Sequence, residues 1–142
     1  MIPLAVDRPF LLPLVPFRVP AGFPSPALDF DCKTIDLHAL LIGNAPATFL
    51  WRLSGWSMRD LGLGDGDLLM VDRSLRPQHG DIVVAEVDGD FTCKQLYQRG
   101  QEVKLLPANS EFPEIVFRDG QSLIICGVVT AAIKRFRHVR PR

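Results

Sequence analysis

A chain of 142 residues, 47% apolar and 23% charged, has the size and composition of one globular domain with a real hydrophobic core. Its 16 basic residues balance its 16 acidic ones, so no global field draws it to nucleic acid. No apolar run reaches the roughly 18 residues a membrane helix needs, and the chain start lacks the basic region of a secretory signal, so a cytoplasmic protein without membrane contact is expected.

Pro3, Pro9, Pro13, Pro16, Pro20, Pro24 and Pro26 crowd the first 26 residues. Proline fixes φ and donates no backbone hydrogen bond, so this stretch is predicted to be an extended arm, neither helix nor central strand. Phe10, Leu11, Leu12, Leu14, Phe17 and Phe23 make it apolar. Such a strap either packs along the body or docks at one specific place. Asp36 can cap a short helix with Leu37, Leu40 and Leu41 on one face and Gly43 just past its end.

Strand signals dominate from there. They cover Thr48 to Leu53, Asp67 to Asp72, Asp81 to Val87, Phe91 to Tyr97, Val103 to Leu106, Ile115 to Phe117, and Leu123 to Phe136, the last bent or broken near Gly127. Asp88-Gly89-Asp90 is a strong hairpin signal between two of them. Short strands and Gly-rich turns argue for a compact, mainly antiparallel β fold with one or two short helices.

Cys32, Cys93 and Cys126 are odd in number and lack a C-x-x-C spacing, so they read as reduced thiols. His38, His79 and His138 are scattered, and no metal or cofactor is expected. Asp65-Gly66-Asp67 lacks the remaining ligands of a calcium loop and reads as a turn. Lys134, Arg135, Arg137, Arg140 and Arg142 make the end basic, either a solvated tail or a contact for a polyanion or partner. The apolar run Ile124 to Val129 is either core or part of a dimer surface.

Two features can carry chemistry. Ser54-Gly55-Trp56-Ser57-Met58 follows a strand, and its glycine lets a tight turn leave a hydroxyl in the open. Alone, a serine in such a turn is usually only a turn. Lys94 lies inside a strand beside Phe91, Cys93 and Leu96, and by alternation it shares a face with Thr92 and Leu96. It reads either as an edge lysine with a wet ammonium or as a base. A serine hydroxyl needs a base to take its proton, and lysine serves only when burial keeps it neutral.

Taken together, these segments resemble the LexA/UmuD family of self-cleaving Ser-Lys peptidases, most closely its UmuD-like branch. The resemblance runs from Ala21-Gly22-Phe23-Pro24-Ser25-Pro26 to about Arg137. It is carried by Ser54-Gly55-Trp56-Ser57-Met58, Gly64-Asp65-Gly66-Asp67-Leu68-Leu69, His79-Gly80-Asp81-Ile82-Val83, Val87 to Lys94, Leu106-Pro107-Ala108-Asn109-Ser110 and Gly127-Val128-Val129. The spacing of 37 residues between Ser57 and Lys94 fits the family.

The resemblance implies a LexA/signal-peptidase-like β fold, with residues 1–30 as an arm holding the cleavage site and residues 31–142 as the peptidase domain. It implies Ser57 as nucleophile, Lys94 as general base, the backbone N–H groups of Trp56 and Ser57 as oxyanion donors, and Ala21-Gly22 as the bond cut. It further implies an SOS mutagenesis role: cleavage promoted by a RecA-type recombinase filament, then a processed homodimer that joins a Y-family (UmuC-like) polymerase for translesion synthesis. No direct sequence-specific DNA binding is expected. A polymerase subunit that no longer cleaves and the C-terminal domain of a LexA-like repressor are the alternatives. Two positions depart from the UmuD-like pattern: Trp56 replaces a small or acidic residue, and Ala21 replaces the Cys often found before the glycine.

Overall fold

A computed structural model of the chain describes residues 8–22, 31–117 and 121–137. The block Phe23 to Pro26 and the tail beyond Arg137, with His138, Arg140 and Arg142, lie outside the described residues. The molecule is mainly β, and every strand pair in it is antiparallel. In chain order it contains β1 (Leu11–Leu14), β2 (Lys33–Asp36), α1 (Leu37–Leu41), β3 (Thr48–Arg52), β4 (Leu68–Asp72) and β5 (Ile82–Val87). Then follow β6 (Asp90–Arg99), β7 (Glu102–Leu106), β8 (Ile115–Val116) and β9 (Leu123–Ile133). Among the described residues no helix is long and apolar enough to cross a membrane, and the three cysteines form no disulfide.

Seven strands form one sheet in the order β3-β4-β9-β5-β6-β7-β8. The period-two side-chain alternation of a strand builds a core on each face. Val84 and its cross-strand partner Cys93 join Leu53, Met58, Leu63, Leu69 and Val71 on one side. Val83 and Ala85 join Leu96, Leu105 and Val128 on the other. The β5–β6 hairpin turns at Asp88 (φ 48°) and Gly89 (φ 90°), the two positive φ values that a two-residue turn of matching twist requires.

The sheet is curled. Trp51 on the edge strand β3 packs edge-on against Phe91 of β6, ring centroids 4.9 Å apart, although β4, β9 and β5 lie between them in the sheet. The curl has a local cause in β9, whose register shifts twice, against β4 and against β5. Such bulges sharpen bend and twist. The second falls beside Gly127, the expected bend. A Cβ at Gly127 would stand 2.5 Å from Val71 Cγ1 and 3.1 Å from the Asp72 carbonyl oxygen, so the close approach of β9 to β4 needs the glycine.

The arm contributes β1, which pairs with β2 as a separate two-stranded ribbon. Pro13 sits in β1 opposite Thr34, tolerable because β1 is an edge strand that pairs with β2 alone among the described residues. Asp36 ties the ribbon to α1: its Oδ1 accepts the Phe10 N–H at 2.9 Å and caps the helix by accepting the His38 N–H at 3.0 Å.

Several expectations need correction. The pairing of Lys33–Asp36 was not legible, because an alternating segment of four residues carries little signal. The helix forms where expected, but it buries no residue, and Leu40 is 61% exposed. It ends through Ile42 in extended backbone (φ −118°), not through a left-handed Gly43. The last strand stops at Ile133, three residues before Phe136, because Ile133 pairs with Leu68, the first residue of its partner β4.

Candidate active site

The site is assembled where β3 ends. The Leu53 N–H donates to the Asp67 carbonyl at 2.7 Å, and the Leu53 carbonyl accepts from the Gly66 N–H at 2.8 Å. Beyond this the chain leaves the sheet. Gly55 takes φ +89°, a value only glycine adopts freely, and its N–H donates to Asp65 Oδ1 at 2.7 Å. Met58, fully buried in the core, anchors the far end of the turn. A side chain that cannot leave the core thus lies next to one that faces the cleft, Ser57.

Lys94 reaches the same point from β6. Its Nζ lies 3.0 Å from Ser57 Oγ, 2.7 Å from Thr92 Oγ1 and 3.2 Å from the Cys93 carbonyl oxygen. The residue is only 9% exposed, and among the described residues no carboxylate pairs with it. Burial therefore pulls the Lys94 pKa below the ordinary lysine value, opposed only by Cys93. Burial also pushes the Cys93 thiol up to about 11, against the pull of Lys94, so at neutral pH the thiol carries no charge to offset that effect.

The geometry suits a neutral amine. Such an amine has two N–H groups and one lone pair. With the N–H groups donated to Thr92 Oγ1 and the Cys93 carbonyl, the lone pair is left for the Ser57 hydroxyl proton. That is the arrangement an activated serine needs. The N–H groups of Trp56 and Ser57 donate to no protein acceptor among the described residues, so both are free for a developing oxyanion. A cleft of about 220 Å³ opens over Ser57 and Lys94, with apolar walls from Trp51, Leu53, Leu69, Val84 and Phe91. It runs along β3, which among the described residues pairs with β4 alone.

The predicted cleavage residues are elsewhere. Ala21 and Gly22 are exposed, no described residue of the arm lines the cleft, and no described residue beyond its chain neighbours comes within 4 Å of where a Cβ on Gly22 would stand. The structure therefore brings Ser57, Lys94 and the Trp56 and Ser57 amides together and leaves Ala21-Gly22 outside. The Trp56 indole, 55% exposed, does not line the cleft. It lies over Gly64, where a Cβ would stand 2.8 Å from the ring.

Four supporting residues escaped the sequence reading. Thr92 positions Lys94, and only its alternation with Lys94 hinted at this. Asp65 and Asp67 were read simply as a turn. In the structure, Asp65 holds Gly55, and buried Asp67 accepts from the Gly64 N–H at 2.8 Å and from Lys134 Nζ at 2.6 Å. Asn109 belongs to a segment that resemblance singled out without a role. Its Nδ2 donates to the Trp56 carbonyl at 2.9 Å.

Comparison with known proteins places the chain in a family. The pattern of the family described as Peptidase S24-like matches residues 13–130. Protein ImpA of Salmonella typhimurium is 45% identical over 134 residues, covering 94% of this chain and 91% of its own. Protein SamA of Salmonella typhimurium is 46% identical over 125 residues, covering 88% and 86%. Protein MucA of Escherichia coli is 42% identical over 123 residues, covering 84% of each.

Proposed function

The chain belongs to the peptidase S24-like family, in its UmuD-like branch, and from that premise we propose that it is a serine peptidase that cuts its own arm between Ala21 and Gly22. The observation that carries this reading is the 3.0 Å approach of a buried, carboxylate-free lysine to a serine hydroxyl at the floor of a cleft. In the proposed reaction Ser57 Oγ attacks the Ala21 carbonyl carbon while Lys94 Nζ takes the hydroxyl proton. The Trp56 and Ser57 N–H groups hold the oxyanion. Lys94 then returns the proton to the Gly22 nitrogen as the Ala21–Gly22 bond breaks, leaving residues 1–21 as an ester on Ser57. Water activated by the same amine hydrolyses the ester and frees that fragment.

For cleavage within one chain the arm must move, since Ala21 and Gly22 are exposed and no described arm residue lines the cleft. A RecA-type recombinase filament would act by favouring the conformation with the arm in the cleft, a population shift and not a chemical contribution. We further assign the processed chain, the domain remaining after loss of the arm, to a cytoplasmic homodimer that joins a Y-family polymerase in SOS mutagenesis.

Intact mass of the purified protein, first alone from neutral to alkaline pH and then with activated recombinase filaments, tests this. The expected result is a split at Ala21-Gly22 that Ser57→Ala and Lys94→Ala both abolish. Cleavage at another bond would keep the dyad and discard the assigned site. No cleavage under either condition would leave the polymerase-subunit reading, which the open position of Gly22 also suits.

A further inference from the structure

The Ser57 turn is gripped from outside by the loop after β7. The Ala108 N–H donates to the Ser57 carbonyl at 2.7 Å, and the Ala108 carbonyl accepts from the Asp60 N–H at 2.7 Å. The next residue, Asn109, is 3% exposed, and both ends of its amide are engaged. Its Oδ1 accepts from the Glu111 N–H at 3.0 Å and, at 3.5 Å, from Arg59 Nη2. Because a backbone N–H can only donate, that bond fixes which end is oxygen and turns Nδ2 toward the Trp56 carbonyl. The Trp56 carbonyl also accepts the Arg59 N–H at 3.1 Å, within its own turn. Asn109 is the one side chain among the described residues that holds it.

A trans peptide is planar, with its C=O and N–H pointing in opposite directions. The chain has no cis peptide among the described residues, so the direction of the Trp56 carbonyl dictates that of the Ser57 N–H. That N–H has no protein acceptor. We propose that Asn109 is a positioning residue: by holding the Trp56 carbonyl it aims the Ser57 N–H at the substrate carbonyl that Ser57 attacks. This rests on the self-cleavage reading above. An oxyanion donor works only when it is aimed before charge develops, and small misplacements are costly in rate. Asn109 touches neither Lys94 nor its partners in any hydrogen bond. Its loss should therefore lower the rate without moving the pH at which the lysine titrates.

The test compares first-order self-cleavage, across alkaline pH, of the full chain with Asn109→Asp and Asn109→Ala. Asp keeps the oxygen that serves Glu111 and places a second oxygen against the Trp56 carbonyl. Both variants should cleave about tenfold more slowly or worse at the pH plateau. Asn109→Ala should keep the wild-type pH midpoint. A wild-type rate for Asn109→Asp would overturn the proposal, and so would a loss in Asn109→Ala that a shifted midpoint accounts for. Should neither variant fold, a through-hydrogen-bond NMR coupling from Asn109 Nδ2 to the Trp56 carbonyl carbon in intact Ser57→Ala protein is the second measurement. Its presence supports the proposal, and its absence rejects it. A wild-type chain that never cleaves would instead sink the peptidase reading on which this rests.

Discussion

The Ser57 turn and the arm are built on opposite principles. The turn between β3 and β4 is held from every side. Met58 is fully buried beneath it, Asp65 takes the Gly55 N–H, and residues 108–109 take two consecutive carbonyls. In the described part of the arm, β1 is held by a ladder of four residues against β2, and Phe10 by Asp36 and by the Leu37 N–H; every residue of β1 is exposed. A two-stranded ribbon of this kind is marginally stable by itself. On the proposed function, this difference has the chemistry assembled in advance and delivery of the bond left adjustable. A site built this way would be controlled through its substrate segment, because a marginal ribbon shifts more readily than a packed core.

The sharpest way to break this comparison is to titrate the base. Burial lowers the Lys94 pKa. Below that folded value the neutral fraction, and with it the self-cleavage rate, should fall about tenfold per pH unit. Above it the rate should level off, with the midpoint below the ordinary lysine value of 10.5. Rates by intact mass over a pH series would show this. A flat profile would mean that arm delivery, not deprotonation, limits the rate.

Loosening the arm should act in the other direction. Asp36→Ala removes the acceptor shared by the Phe10 and His38 amides, at about 1 kcal/mol for a lost cap. Freed from a position in which Gly22 lies in open space, the arm should visit the cleft more often. Alkaline self-cleavage should rise roughly three- to fivefold, the factor such an energy gives. Slower cleavage would show that the ribbon presents the arm instead of restraining it.

The smallest effect concerns stability. The unfolded chain binds the Lys94 proton more tightly than the folded one, so this residue detracts from stability below its folded pKa. That deficit shrinks as pH rises from the folded value toward 10.5. Lys94→Met should therefore abolish cleavage and raise the Tm by about 2–5 °C at pH 7. The gain should be smaller near pH 10, as differential scanning fluorimetry at the two pH values would show.

Much of the molecule was legible before folding was considered. The proline spacing marked an arm whose described residues, 8–22, are not helical. Asp88-Gly89 marked the β5–β6 hairpin, and the strand runs lie within a few residues of those observed. What misled were features whose outcome depends on distant partners. Leu37, Leu40 and Leu41 have helical spacing, yet nothing covers Leu40. Lys33–Asp36 becomes a strand because β1 lies beside it. Phe136 was read into the last strand, but the strand ends at Ile133, opposite Leu68, where its partner β4 begins.

By itself the sequence determined the local states: which residues alternate, which turns need glycine, and which serine and which lysine stand out. These follow from backbone sterics and side-chain periodicity, which act over a few residues. Tertiary structure alone decided that Ser57 and Lys94 meet. They are 37 residues apart, on segments that the sheet order does not make neighbours. They meet because two bulges in β9 curl the sheet until β3 faces β6. The same closure buries Lys94, and burial, which no local pattern encodes, is what lowers its pKa.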